Sequence, residues 1–144
     1  MEQTASEIRF MGIDYGEKRI GIALSDPLLT FAYPLTTLIN NSSIFSELKK
    51  IINDKSITKI ILGFPPIRFK SSKELSEKVL RFKSEIESLN KVEIILWDEE
   101  YSSAIAKEKI IQSVSKKSKR KEKDLLDKFA AAVILQEYLD SIKE

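Results

Sequence analysis

The apolar residues of this chain change period near Ser42, and that change constrains the architecture more than any other feature. Before it, "EIRFMGIDY" and "KRIGIALS" are runs of strand type separated by "GEK", so Glu7 to Tyr15 and Lys18 to Ser25 are expected to pair as an antiparallel hairpin. "TFAYPLTTL" supplies a third, shorter strand, in which Pro34 favours an edge or an irregular end. In "SSIFSELKKIIND" the spacing turns helical, with Ile44, Phe45, Leu48, Ile51 and Ile52 recurring behind Ser42 or Ser43 as the N-cap. "ITKIILGF" is a nearly continuous apolar run, as a strand covered on both faces requires. A second helical stripe carries Leu75, Val79, Phe82, Ile86 and Leu89, and "KVEIILWDEE" follows as another buried strand ending in acids. Two further helical patterns close the chain, one from Ser102 or Ser103 to about Val114 and one in "DLLDKFAAAVILQEYLDSI", with a basic segment between them.

The order β-β-β-α-β-α-β-α-α predicts an α/β fold. A meander of antiparallel strands followed by right-handed crossovers gives a mixed central sheet flanked by helices. With 144 residues, no internal repeat and no linker, residues 1–144 are expected to form a single domain, with 1–6 a flexible N-terminus. The opening "MEQTASE" has neither a basic region nor an apolar core of signal type, and no apolar run is long enough to span a bilayer. The expected setting is soluble and cytoplasmic, with no membrane partner.

Composition removes whole classes of chemistry. The chain has no cysteine and no histidine, so disulfides, thiolate nucleophiles, Ser-His-Asp triads and His- or Cys-ligated zinc are impossible within it. Charge is unevenly spread behind a net +2: "KKSKRKEK", from Lys116 to Lys123, places six basic residues and one acid in one short segment. Lys116, Lys117, Lys119, Arg120, Lys121 and Lys123 suit a phosphate-rich partner, and a merely solvated basic loop is the rival explanation.

The acids stand where ligands collect on such sheets. Asp14 ends the first strand, Asp98 and Glu99 end the last, and Asp127 lies early in the final helix with Asp124 one turn before it. Clustered buried carboxylates require cations or hydrogen-bond donors, and without histidine an oxygen-only set selects a hard ion, Mg²⁺ or Mn²⁺. Two such ions would activate water and stabilise a phosphodiester leaving group, which is nuclease chemistry needing no protein nucleophile. Ala130, Ala131 and Ala132 keep one turn of the final helix slim enough to carry Asp127 close to the strand ends. The competing account makes Asp124 that helix's N-cap and Asp127 an acid favoured by the helix dipole.

These segments carry a family resemblance. "GIDYGEKRIGIALSDPLLTFAYPL", "WDEEYSSAIA" and "KKSKRKEKDLLDKFAAAVILQEYLD" resemble, in order and over nearly the whole chain, the YqgF/RuvX family of Holliday-junction-resolvase-like proteins in the ribonuclease H-like superfamily. The resemblance implies a ribonuclease H-like sheet and a metal-dependent nuclease, acting either on Holliday junctions or on the 5′ end of precursor 16S ribosomal RNA. It implies Asp14, Glu99 and Asp127 as catalytic metal ligands, with Asp98 an alternative ligand or second acceptor; Asp124 departs from the family, which often carries a basic or small residue there, and is a candidate extra ligand because junction-resolving relatives can carry a second acid one turn before the last. The chain departs from the family at Glu100, which stands in place of an Arg, and in "GFPPIRFKSSKE", where the family's Asn is lost and Arg68 and Lys70 offer substitute polar contacts.

Other roles remain open. Gly16 is expected to give the hairpin turn a positive φ, Gly21 to allow close backbone approach or a tight bend, and Lys18 and Arg19 to contact phosphate. Ser25, Asp26 and Pro27 read as a strand terminator, and Phe64 and Trp97 as core or rim. Two rival functions stand beside the nuclease: a non-catalytic nucleic-acid- or protein-binding module on a degenerate nuclease fold, and an actin-like ATP-binding domain suggested by Asp14 to Gly21. The chain has room for only one of the two domains that clamp ATP in the latter class. Paired cutting of a junction would favour a symmetric homodimer, and trimming an RNA end would not require one.

Overall fold

The computed structural model describes residues 7–64, 70–98 and 119–143. The elements run β1 (Arg9–Asp14), β2 (Arg19–Ser25), β3 (Ala32–Ile39), α1 (Ile44–Asp54), β4 (Ile57–Phe64), α2 (Lys70–Leu89), β5 (Glu93–Asp98) and α3 (Lys119–Ser141). The expected N-terminal tail and the expected helix at 102–114 lie outside the described residues.

The sheet order is β3-β2-β1-β4-β5. β1, β2 and β3 form the antiparallel meander, and β4 and β5 add in parallel through α1 and α2. The predicted mixed sheet is therefore present. Pro34 sits on edge strand β3, as expected, where the pairing with β2 shifts register between Ile22 and Ala23. That strand is not short, however, because eight residues from Ala32 to Ile39 keep pairing on either side of the irregularity.

Strand alternation divides the core into two layers. Met11, Ile13, Ile20, Ile22, Leu24, Ile60 and Leu62 face α1 and α2, where they meet Ile44, Leu48, Ile52, Val79, Phe82 and Ile86. Phe10, Ala23 and Ile61 face α3 and pack against Ala131, Ile134, Leu135, Tyr138 and Leu139. Burying each large aliphatic side chain contributes about 1.5–3 kcal/mol relative to exposure, so both layers are needed to hold the sheet. The helical stripes hold in their centres and fail at an end: Leu89, the last residue of α2, is 44% exposed. β5 is also less covered than expected, since it forms the other edge and only Ile94 in it is buried among the described side chains.

Two local expectations need correcting. Ser43 takes the N-cap position of α1 but makes no side-chain cap bond; the single proton of its hydroxyl is shared between two acceptors, Asn41 Oδ1 at 2.8 Å and Glu47 Oε2 at 2.9 Å. α3 begins at Lys119, so the second half of the basic segment is helical and not a loop. Asp124 is consequently inside the helix, and neither its N-cap role nor a first-turn place for Asp127 survives.

Candidate active site

Asp14 is the last residue of β1 and lies in a row that crosses the sheet. Its Cα partner on β2 is Gly21, its partner on β4 is Gly63, and Gly63 in turn partners Trp97 on β5. The carboxylate is thus flanked on both sides by residues without side chains. It shares the α3 face with Gly12, two residues earlier on the same strand, and it is only 7% exposed.

The glycines explain how α3 reaches this row. A Cβ on Gly12 would lie 2.6 Å from the Ala131 carbonyl oxygen, and a Cβ on Gly21 would lie 2.0 Å from the Asp127 carbonyl oxygen. Both distances are below any contact a real side chain tolerates, so the helix backbone rests directly on the strand backbone. The slim Ala130–Ala132 turn fits that seat, with all three alanines buried. Asp127 is thereby fixed over Gly21, the direct cross-strand neighbour of Asp14.

Arg19 completes the arrangement. It starts β2 on the same face, and its Nε donates to Asp127 Oδ2 at 2.9 Å, with both side chains about three-quarters buried at 27% and 21% exposure. The expected phosphate contact is therefore engaged with an acid of the site, and it orients that acid. Lys18, by contrast, is exposed in the turn.

The hairpin carrying Asp14 and Arg19 is held by a residue the sequence did not single out. Asn40, just past β3, donates from Nδ2 to the Gly16 carbonyl and from its backbone N–H to the Lys18 carbonyl, both at 2.9 Å. An asparagine after a strand signals only a turn, and nothing local says which distant loop it will tie down. Gly16 itself has no positive φ, contrary to expectation. Its Cβ would fall 2.4 Å from the Arg19 carbonyl oxygen, so closure of the turn and not handedness demands glycine. Gly21 behaves as expected, through close approach.

At the far end of β2, Asp26 terminates the strand as predicted: its carboxylate accepts the backbone N–H groups of Thr30 at 2.7 Å and Phe31 at 2.8 Å. Those bonds, the one from Phe31 first, hold its pKa below 3.8. Trp97 is rim, donating from Nε1 to Glu137 at 3.0 Å and meeting the Tyr138 ring edge-on.

Several expected site residues are not placed. Glu99, Glu100, Arg68, Lys116 and Lys117 lie outside the described residues, as do the side chains of Phe64, Lys70, Asp98, Lys119, Arg120, Lys121, Lys123 and Asp124. The backbone of Asp98 ends β5 opposite Phe64. Among the described residues no three acids gather as a metal cage. The donors present nonetheless suit Mg²⁺ or Mn²⁺, because a buried carboxylate at a strand end and a second one seated beside it offer hard oxygens and no softer ligand.

The mixed sheet, with helices on both faces and an acid at the end of its central strand, defines the ribonuclease H-like class. Among solved structures the chain resembles T. thermophilus RuvC in complex with a Holliday junction substrate, at a TM-score of 0.56 and 14% identity over 88% of this chain and 91% of that one. It also resembles the Fowlpox virus resolvase in complex with Holliday junction DNA, at 0.50 and 12% over 95% and 99%. The family model described as "RuvX: Holliday junction resolvase" matches residues 8–141, and the chain belongs to that family. Relatives named "Putative pre-16S rRNA nuclease" include one from Thermoanaerobacter pseudethanolicus, 38% identical over 94% of this chain and 99% of the relative. Another, from Caldicellulosiruptor saccharolyticus, is 41% identical over the same shares.

Proposed function

We propose that the protein is a metal-dependent nuclease that hydrolyses phosphodiester bonds in structured nucleic acid, with precursor 16S ribosomal RNA as its substrate. The observation that carries this is the seating of Asp127 on Gly21, which brings an acid of α3 to the cross-strand neighbour of buried Asp14. Family membership and the full-length likeness to relatives named for the ribosomal precursor support it. Asp14, Asp127 and Glu99 would hold Mg²⁺ or Mn²⁺, with Asp98 and Asp124 as further donors; Glu99 follows Trp97 by two residues, and Trp97 shares the row of Asp14. Bound there, the ions supply an activated water and charge stabilisation at the leaving oxygen. Asp14 anchors the site from the end of β1, Arg19 orients Asp127, and the bare backbone of Gly21 lets α3 bring Asp127 to the neighbour of that carboxylate. Lys18 and the basic residues at the start of α3 would hold flanking phosphates.

The second substrate, a four-way DNA junction, is favoured by the family model's description. Wild type and Asp14→Asn are incubated with Mg²⁺ or Mn²⁺ and matched panels of precursor 16S RNA, four-way DNA junctions and single strands. Wild type is expected to cut the RNA, and Asp14→Asn to fall to background while remaining folded. Equal cutting by both proteins, or no cutting by either, refutes the assignment, and the second outcome fits a non-catalytic binding module.

A further inference from the structure

We propose that a cleft on the sheet face opposite α3 takes one unpaired nucleotide of the strand held at Asp14, its base on Tyr15 and Phe45 and its phosphate on Arg81. The inference rests on the nuclease reading and adds a binding site to it. Tyr15 follows Asp14 directly and packs against the α1 and α2 layer, so the two residues lie on opposite faces of the sheet at the end of β1. A nucleic-acid strand crossing that end of the sheet would meet both.

The cleft is about 330 Å³, at the small end of the ~300–1,000 Å³ range of ligand sites, and admits a single nucleotide but no duplex. Its floor is Phe82, which is 5% exposed, with the Tyr15 ring centroid 4.9 Å away and that of Phe45 5.4 Å away. Tyr15 and Phe45 are half-buried and line the cleft. Such rings accept any base, because every base has a π-face.

The charges at the rim give the nucleotide a direction. Lys78 donates to Glu17 and is committed to that pair. Arg81 is exposed, and among the described residues it has neither an ion pair nor a hydrogen bond, so its planar donors are available to a phosphate. Glu85, one helical turn further on, repels phosphate from its own end of the cleft and leaves the Arg81 end for the anion. Asn40 also lines the cleft, and through its bond to Gly16 it joins this wall to the hairpin that presents Asp14.

Binding is measured by fluorescence anisotropy in EDTA, where no strand is cut, with labelled RNA and DNA duplexes that are blunt or carry a single-stranded flank. Tyr15→Leu and Arg81→Gln are each expected to weaken binding of the flanked substrate by about tenfold and leave the blunt duplex unchanged. Removing one base from the flank should weaken wild type equally and Tyr15→Leu no further. Weakening in either the RNA or the DNA arm supports the cleft and identifies the nucleic acid. Arg81→Gln changes an exposed residue, so misfolding of Tyr15→Leu leaves the test decisive. If both variants bind flanked and blunt substrates like wild type, the cleft is refuted and the nuclease reading stands. If wild type binds neither RNA nor DNA, both fall together.

Discussion

At the scale of single residues, the site depends on atoms that are missing. Gly21 contributes no side chain, and that lets the carbonyl of Asp127 occupy the space where a Cβ would stand. The obstruction is backbone against backbone, so no rotamer change relieves it. Gly21→Ala is expected to lower stability by about 1–3 kcal/mol in urea unfolding, the usual cost of overpacking. It should also remove cleavage activity under conditions where the variant is still folded, because α3 must lift Asp127 away from Asp14. An unchanged unfolding midpoint together with wild-type cleavage would show that the helix does not need this seat. Arg19 is the complementary case: one guanidinium spans 108 residues of sequence to fix an acid that the helix alone positions only by its backbone.

Elements meet the site through how they begin and end. α3 starts within the basic segment, so Asp127 is carried by a helix already under way. An acid in a first turn has an adequate explanation in the helix dipole, and an acid held further inside over a strand glycine does not. At the other end of the meander, the connection from β2 to β3 is organised by the Asp26 carboxylate and its two backbone donors. Because folding lowers this pKa, the contribution is complete above pH 3.8 and is lost as pH falls through the lower folded value. Urea midpoints of wild type and Asp26→Asn should therefore differ by a constant amount above pH 3.8 and converge below it. A gap that persists at lower pH would mean that the charge is not what the loop uses.

For the whole molecule, the decisive quantity is where charge lies relative to the site. The net charge is only +2, yet Lys119, Arg120, Lys121 and Lys123 open the helix that carries Asp127. If they track phosphates, replacing all four with Gln should flatten the slope of log affinity against log salt by up to about 0.9 for each duplex phosphate that the variant no longer neutralises. Gln keeps helix propensity near that of Lys, so the change tests charge and not the helix. An unchanged slope would assign these residues to solubility.

Much was legible before folding because it is local. The hairpin, the helical stripes, the order of elements along the chain and the candidacy of Asp14 all follow from periodicity and residue type over a few neighbouring positions. Exclusion of histidine and cysteine chemistry needed only a count. The tertiary structure alone decided that α3 lies across β1 and β2, that Gly12 and Gly21 are its seat, that Arg19 commits its charge to Asp127, and that Asn40 ties down the turn. It also replaced the reason for Gly16, from handedness to closeness, and moved the start of the last helix into the basic segment. These facts join residues far apart in the chain, and sequence periodicity carries no information about which distant backbone will press against a bare strand.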